Sequence, residues 1–303
     1  MIARGASRVH RADAHFRVTP TMAPVRAGDC PVGIVAALPA EARSLVPRDA
    51  RIGVTCVVNA DVRLHVGGVG AVGGRRAAET LIAGGARALV SWGLAAGLDP
   101  VLVPGTLIIG TRVVHTTVAA SAAGRARRTG HEPDETPDAN VRVSSEWADR
   151  LSARFGGELT VVRGAIACPD HVLRTAAEKR ALGASGAVAA DMETAAIAAV
   201  AVHARVPWLA IRVVVDTMDL IVPESVADAV DSAGRVRMAR LLTALVRHPS
   251  DLTHLPALAR AYRRALRTLA IVAGAADAAL LARRATPDGQ QVDPDTGAAE
   301  SQR

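Results

Sequence analysis

The stretch GAVAADMETAAIAAVAVHARVPWLAIRVVVDTMD, residues 186–219, sets carboxylates and an arginine in an otherwise Ala/Val-rich segment. Ionisable groups in such surroundings need a reason, because burying them costs free energy unless they are paired or used. Met192 to Arg205 suits a helix, with Asp191 near its start and Pro207 to break it. Trp208 to Val215, WLAIRVVV, is a β-branched run of strand length without alternation, as expected of a strand covered on both faces. Asp216 stands where that strand ends. In open α/β sheets ligands bind at the carboxyl ends of strands, which makes Asp216 a candidate for chemistry. The plainer alternative is a residue that begins a turn.

Working outward, the same pattern recurs near the other end of the chain. PVGIVAAL, residues 31–38, reads as a first buried strand, and Glu41 lies just beyond it. If the two strands are parallel, Glu41 and Asp216 converge on one crevice; otherwise Glu41 is simply an acid in a first helical turn. Residues 63–69 form another expected strand, running into a turn with glycines at 67, 68, 70, 73 and 74. Its free N–H groups are candidates to face an anion or a ribose, although the spacing is not that of a dinucleotide fingerprint. Residues 88–92 read as a short strand, followed by GLAAG at 93–97, whose small residues leave backbone open to a flat ligand. A strand over 106–115, helices over 146–155 and 172–182, and a strand over 161–167 complete an alternation that implies an α/β fold with a mostly parallel sheet. Residues 116–140 lack periodicity and read as a long loop, mobile or a lid; residues 217–232 are the other lid candidate.

Composition narrows the classes. The chain has 303 residues, and 50% are hydrophobic but only 2% aromatic, so its core is built from Ala, Val, Leu and Ile. A net charge of +7 permits nucleic-acid contact, but the arginines are scattered and no aromatic stacking set accompanies them, so no nucleic-acid partner is expected. Three widely spaced cysteines imply no disulfide framework and fit a reducing compartment. The nine histidines form no metal-binding spacing, and no metal or cofactor is implied. No run of about 18 apolar residues crosses a membrane, and residues 1–30 do not resemble a secretory leader. A cytoplasmic protein with a disordered head (1–30) and a disordered tail (285–303) is expected. Between them lie a main domain (31–245) and a helical arm (246–284). In the arm, Leu255, Leu258, Tyr262, Leu266 and Leu269 share one face, while Arg260, Arg263, Arg264 and Arg267 share the other. Packing with solvated arginines is the commoner use of such a helix. Docking on anionic lipid, as a peripheral contact at the inner face of the membrane, is the sharper one.

Four segments in order resemble the nucleoside phosphorylase and nucleosidase superfamily. They are GIVAALPAEA (33–42), GGVGAVGG (67–74), WGLAAGLDPVLVPGTLII (92–109), and AADMETAAIA (189–198) joined to IRVVVDTMD (211–219). GLAAGLDP, the DMET helix and the arm HPSDLTHLPALARAYRRALR resemble its hopanoid-associated branch in particular. The resemblance implies a single-domain three-layer α/β sandwich around a central mixed sheet. It also implies a homo-oligomer, and release of adenine from adenosylhopane, a lipid-linked nucleoside substrate. Methylthioadenosine, S-adenosylhomocysteine or futalosine-type nucleosidases are the alternative, and a nucleoside-binding protein without activity is the non-enzyme one. By position, Asp216 resembles the acid that protonates the purine, and Glu193 the carboxylate that grips the ribose hydroxyls. Met192 resembles the side chain packed on the sugar, Glu41 with Arg212 the pair that positions the attacking water, and Ala95, Ala96 and Gly97 the backbone beside the base. Two departures stand out. Val215 replaces a small hydroxyl residue before the acid, and Ala96 replaces a glycine. Ser91 occupies the position where phosphorylases of this superfamily commonly carry an arginine, which favours hydrolysis over phosphorolysis.

Overall fold

A computed structural model describes residues 32–46, 50–114, 145–218, 253 and 255–275. The two lid candidates, apart from Thr217 and Met218, lie outside these residues, as do the head, the tail and the rest of the arm. The chain runs β1 (Val32–Ala36), α1 (Pro39–Ala42), β2 (Thr55–Val57), β3 (Val62–Val66), α2 (Ala71–Ala83), β4 (Ala88–Gly97), β5 (Leu107–Val114) and α3 (Ser145–Phe155). It continues with β6 (Val161–Ala167), α4 (Ala176–Gly183), β7 (Ala187–Ala190), α5 (Thr194–His203), β8 (Trp208–Asp216) and α6 (Leu255–Ala275).

All eight strands join one mixed sheet in the order β2-β3-β1-β4-β7-β6-β5-β8, so the α/β fold with a central mixed sheet is as expected. β1 is parallel to β4, and β4 is parallel to β8, which sends the ends of β1 and β8 to the same side. β8 also pairs antiparallel with β5. Through β4–β7, β7–β6, β6–β5, β5–β8 and β8–β4 the sheet therefore closes on itself, while β1, β3 and β2 extend from β4 as an open wing. Closure requires a strand long enough to belong to both parts. β4 is that strand: ten residues, with its first half on β1 and its last two on β7. GLAAG thus continues the strand expected over 88–92, and its small side chains let β7 and β8 approach on either side.

Burial explains the rest. β1 is buried at every position and β8 at all but Val215, as befits strands covered on both faces. α5 is apolar nearly all round and packs between α2 and β4. It is shorter than the sequence suggests, starting at Thr194 and ending at His203, and Arg205 then takes a left-handed φ of 55° before Pro207. α4 likewise begins later than expected, at Ala176. Thr175 accepts from Glu178 N and Glu178 caps back, so a capping box sets the start.

α6 packs on β8 through Ala261, Ala265, Thr268, Leu269 and Val272. The expected leucine face is rotated: Leu255, Leu258, Tyr262 and Leu266 are only half-buried. Alanines let a helix axis come closer to a sheet than leucines do, which favours the rotated docking. Arg260, Arg263 and Arg267 face solvent. Among the described residues no helix is long and apolar enough to cross a membrane.

Candidate active site

A cavity of about 330 Å³ opens at the carboxyl ends of β1, β4 and β8. Its walls are mostly apolar, and Glu41, Asp191, Glu193 and Asp216 supply carboxyl groups to it. Ala95, Ala96 and Met192 also line it, as the sequence suggests. Gly97 does not; it sits one residue further along, where a Cβ would lie 3.4 Å from the Asp216 carbonyl oxygen.

Glu41 is both a capping residue and a member of the site. Oε2 accepts from Ala37 N (3.1 Å) and Leu38 N (2.8 Å), and Oε1 accepts from Leu94 N on β4 (2.9 Å). Three backbone donors fix a carboxylate that is only 3% exposed. Burial raises its pKa, opposed by the nearby Arg212 and by those three donors.

Arg212 lies beneath the cavity on β8. Nη2 donates to Ser91 Oγ (2.5 Å) and Thr194 Oγ1 (3.0 Å), and Nε is 2.7 Å from Asp191 Oδ2, close but not aligned as a hydrogen bond. Nη1 is buried and has no hydrogen-bond partner among the described residues. It and Glu41 both border Gly93, where an added Cβ would lie 2.5 Å from Arg212 Nη1 and 2.5 Å from Glu41 Oε1. The absence of a side chain there leaves room for both. Ser91, by contrast, is spent on holding Arg212 and Thr194.

Asp191 is a site residue that the motif reading leaves aside. Oδ1 accepts from Glu193 N (2.9 Å) and Thr194 N (2.8 Å), so it shapes the entry to α5 while its other oxygen faces Arg212. Glu193 Oε1 accepts from Gly70 N (2.7 Å) at the start of α2, and its Oε2 is 3.9 Å from Arg212 Nη2. Gly70 N–H of the glycine turn is thus already taken by Glu193. Burial, then Asp191, push Glu193 up to about 7 against the pull of Arg212.

Asp216 reaches the cavity through a β-bulge. Opposite β4, Ala95 pairs with Val214 but Ala96 pairs with Asp216, leaving Val215 as the extra residue. Alternation would send Val215 and Asp216 to opposite faces; the bulge turns both toward the cavity. Asp216 Oδ2 is 2.6 Å from Lys179 Nζ, which also donates to Thr217 O (2.7 Å). Burial raises the Asp216 pKa, and Lys179 opposes this. Tyr262 enters from α6, with its hydroxyl pushed up by burial and by Glu41.

Residues 31–247 match the family described as the phosphorylase superfamily. The chain belongs to that superfamily. No curated protein sequence matches it significantly. Among solved structures, the 5′-methylthioadenosine/S-adenosylhomocysteine nucleosidase of Campylobacter jejuni is similar with a TM-score of 0.55 at 16% identity, over 81% of this chain and 96% of that one. The Helicobacter pylori nucleosidase of the same name, bound to butyl-thio-DADMe-Immucillin-A, gives 0.53 at 16%, over 80% and 97%. The futalosine hydrolase of H. pylori gives 0.52 at 17%, over 80% and 96%. At these identities the likeness is one of fold. The superfamily match ends at residue 247, so Tyr262 comes from outside it. Neither Lys179 nor Tyr262 has a motif to announce it: Lys179 sits in AAEKRALG, which reads as a solvated helix, and Tyr262 reads only as one apolar position among five.

Proposed function

We propose that the protein is a nucleosidase that hydrolyses the N-glycosidic bond of a purine nucleoside. The observation that carries this is the convergence on one small, mostly apolar cavity of Glu41, with Arg212 close by, and Asp216. Cleavage through an oxocarbenium-like transition state needs a nucleophile on one side of C1′ and an acid on the other. Glu41 holds the water, with Arg212 behind it. As its oxygen bonds to C1′, the C1′–N9 bond breaks toward the purine, Asp216 gives its proton to N7, and Glu41 takes the proton that the water loses. Glu193, with Oε1 on Gly70, turns Oε2 to the sugar hydroxyls, and Met192 packs on the sugar. The base lies along Ala95 and Ala96.

Charge supports water over phosphate as the nucleophile. Four buried carboxyl groups, Glu41, Asp191, Glu193 and Asp216, face two buried bases, Arg212 and Lys179. Such a balance disfavours a dianion and favours a developing positive charge on the sugar.

The substrate in this reading is adenosylhopane, with adenine released. The half-buried Leu258 and Leu266 stand one turn either side of Tyr262, which lines the cavity, and offer apolar surface on which a lipid substituent can lie. Peripheral contact of the arm with a membrane and assembly into homo-oligomers belong to the same reading. Methylthioadenosine or futalosine-type substrates are the second reading, favoured by the names of the structural relatives.

The test is release of free purine, followed by chromatography, from adenosylhopane, methylthioadenosine and futalosine, each with and without phosphate. Release indifferent to phosphate, and lost in Asp216→Asn by a factor of about 10²–10⁴, is expected. A requirement for phosphate overturns the hydrolytic reading, and release from methylthioadenosine in preference to the lipid substrate overturns the choice of substrate.

A further inference from the structure

A lysine that is 1% exposed on a helix of eight residues is costly unless something answers its charge. The answer is Asp216 Oδ2 at 2.6 Å, with Thr217 O at 2.7 Å as the second acceptor. α4 thus delivers an ammonium to the back of the one carboxyl group at the leaving-group end of the cavity. The residue before that acid, Val215, has no side chain able to hydrogen-bond, so orientation of the carboxyl cannot come from there.

We infer that Lys179 is the positioning residue of the proposed acid: it holds Oδ2, leaves Oδ1 to meet the purine, and stabilises the carboxylate that forms when the proton leaves. The inference rests on the nucleosidase reading of the site. In the protonated state Oδ2 is the carbonyl oxygen that accepts from Lys179, and Oδ1 carries the hydrogen. In the step itself the proton passes from Oδ1 to N7, the C1′–N9 electron pair goes to the purine, and Lys179 remains an ammonium beside the new carboxylate. No co-reactant beyond water is needed. Lys179 makes Asp216 a stronger acid than burial alone would, and burial keeps it from ionising too early.

The other charged or titratable groups around the cavity are His171 from the segment before α4, Glu41 from α1, Asp191 and Glu193 from the entry to α5, Arg212 from β8 and Tyr262 from α6. Among the described residues, Lys179 is the group that the structure pairs directly with Asp216.

The experiment compares wild type with Lys179→Gln, which keeps a donor without the charge, with Lys179→Met, which removes both, and with Lys179→Arg. The first readout is the pH profile of kcat/KM for purine release. Deprotonation of Asp216 sets the alkaline limb. Loss of the charge moves that limb up by about one pH unit or more and lowers the maximal rate about tenfold or more, while Lys179→Arg keeps the limb near its original place. A merely structural lysine would lower the amount of folded enzyme and leave the limb unmoved, and coincident limbs overturn the inference. The second readout, the ¹³C carboxyl titration of Asp216, needs no activity. A midpoint unchanged between wild type and Lys179→Gln overturns the inference even if the enzyme is active. A raised midpoint in a protein that releases no purine instead overturns the nucleosidase reading and leaves the pairing in place. Should both neutral variants fail to fold, the wild-type titration decides: ionisation of Asp216 must register at the ¹⁵N resonance of Lys179 Nζ, and independence of the two overturns the inference.

Discussion

The two ends of the cavity are built on opposite plans. At the Glu41 end one guanidinium serves three carboxyl groups: Asp191 at 2.7 Å from Nε, Glu193 at 3.9 Å from Nη2, and Glu41, which borders Gly93 with it. At the Asp216 end one ammonium serves one carboxyl, at 2.6 Å. The first arrangement is short of positive charge and suits a site that must tolerate a cation. The second is balanced and suits a group that changes its own charge by passing on a proton. Burial is the largest influence on Glu41, Glu193 and Asp216 alike and raises all three; Arg212 opposes it at one end and Lys179 at the other.

Four changes would break or sharpen this contrast. The largest effect is expected for Glu41→Gln, which in the proposed reaction removes the group that accepts the proton of water: kcat falls by about 10²–10⁴, with KM little changed, in steady-state kinetics of purine release. Next comes Gly93→Ala. Its Cβ would collide with both Glu41 and Arg212, so kcat falls by about 10–10² as the pair is pushed apart, and urea unfolding shows a loss of about 1–3 kcal/mol.

Glu193→Gln tests the excess of acid directly. Its folded pKa of about 7 lies above the ordinary 4.5, so the folded state binds the extra proton between these values. The stability this contributes is fully present below the ordinary value and is lost as pH rises through about 7. Glu193→Gln should therefore match wild type in thermal unfolding at pH 4.5 and exceed it at pH 8.5, by about 1–3 kcal/mol. Equal melting temperatures at both pH values would remove the charge imbalance from the comparison. The smallest effect is expected for Tyr262→Phe, which deletes a hydroxyl close to Glu41 and costs about 0.5–1.5 kcal/mol, read as a rise in KM.

How much of this is legible in the sequence differs residue by residue. Asp216 and Glu41 are legible because each is an acid directly after a buried strand, and the β1–β4–β8 parallel pairing brings them together as that placement implies. Arg212 stands out as a charge inside WLAIRVVV. The bulge at Val215 is not legible, since one extra residue in an unalternating apolar run leaves no period to break. Closure of the sheet is hidden for a similar reason: the short strand AVAA at 187–190 has no alternation, and only pairing reveals it as a strand. Lys179 is concealed by its surroundings, because burial of a helical lysine depends on what the helix docks against. Tyr262 is visible as an apolar position and becomes a site residue only when α6 lands on β8 beside α1.

The closed part of the sheet also bears on which parts of the protein exchange their amide hydrogens. β8 is bonded to β4 along one edge and to β5 along the other, and β4 is itself shared with β1 and β7. A strand with both edges occupied within a ring does not peel away singly, so the amides from Leu209 to Val214 are expected to exchange only when the ring opens as a whole. The three-residue β2 at the margin of the open wing has one partner among the described residues and is expected to exchange by local fraying. Arg212 thus lies within the segment whose amides are expected to be the last to meet deuterium, and Asp216 follows two residues after it.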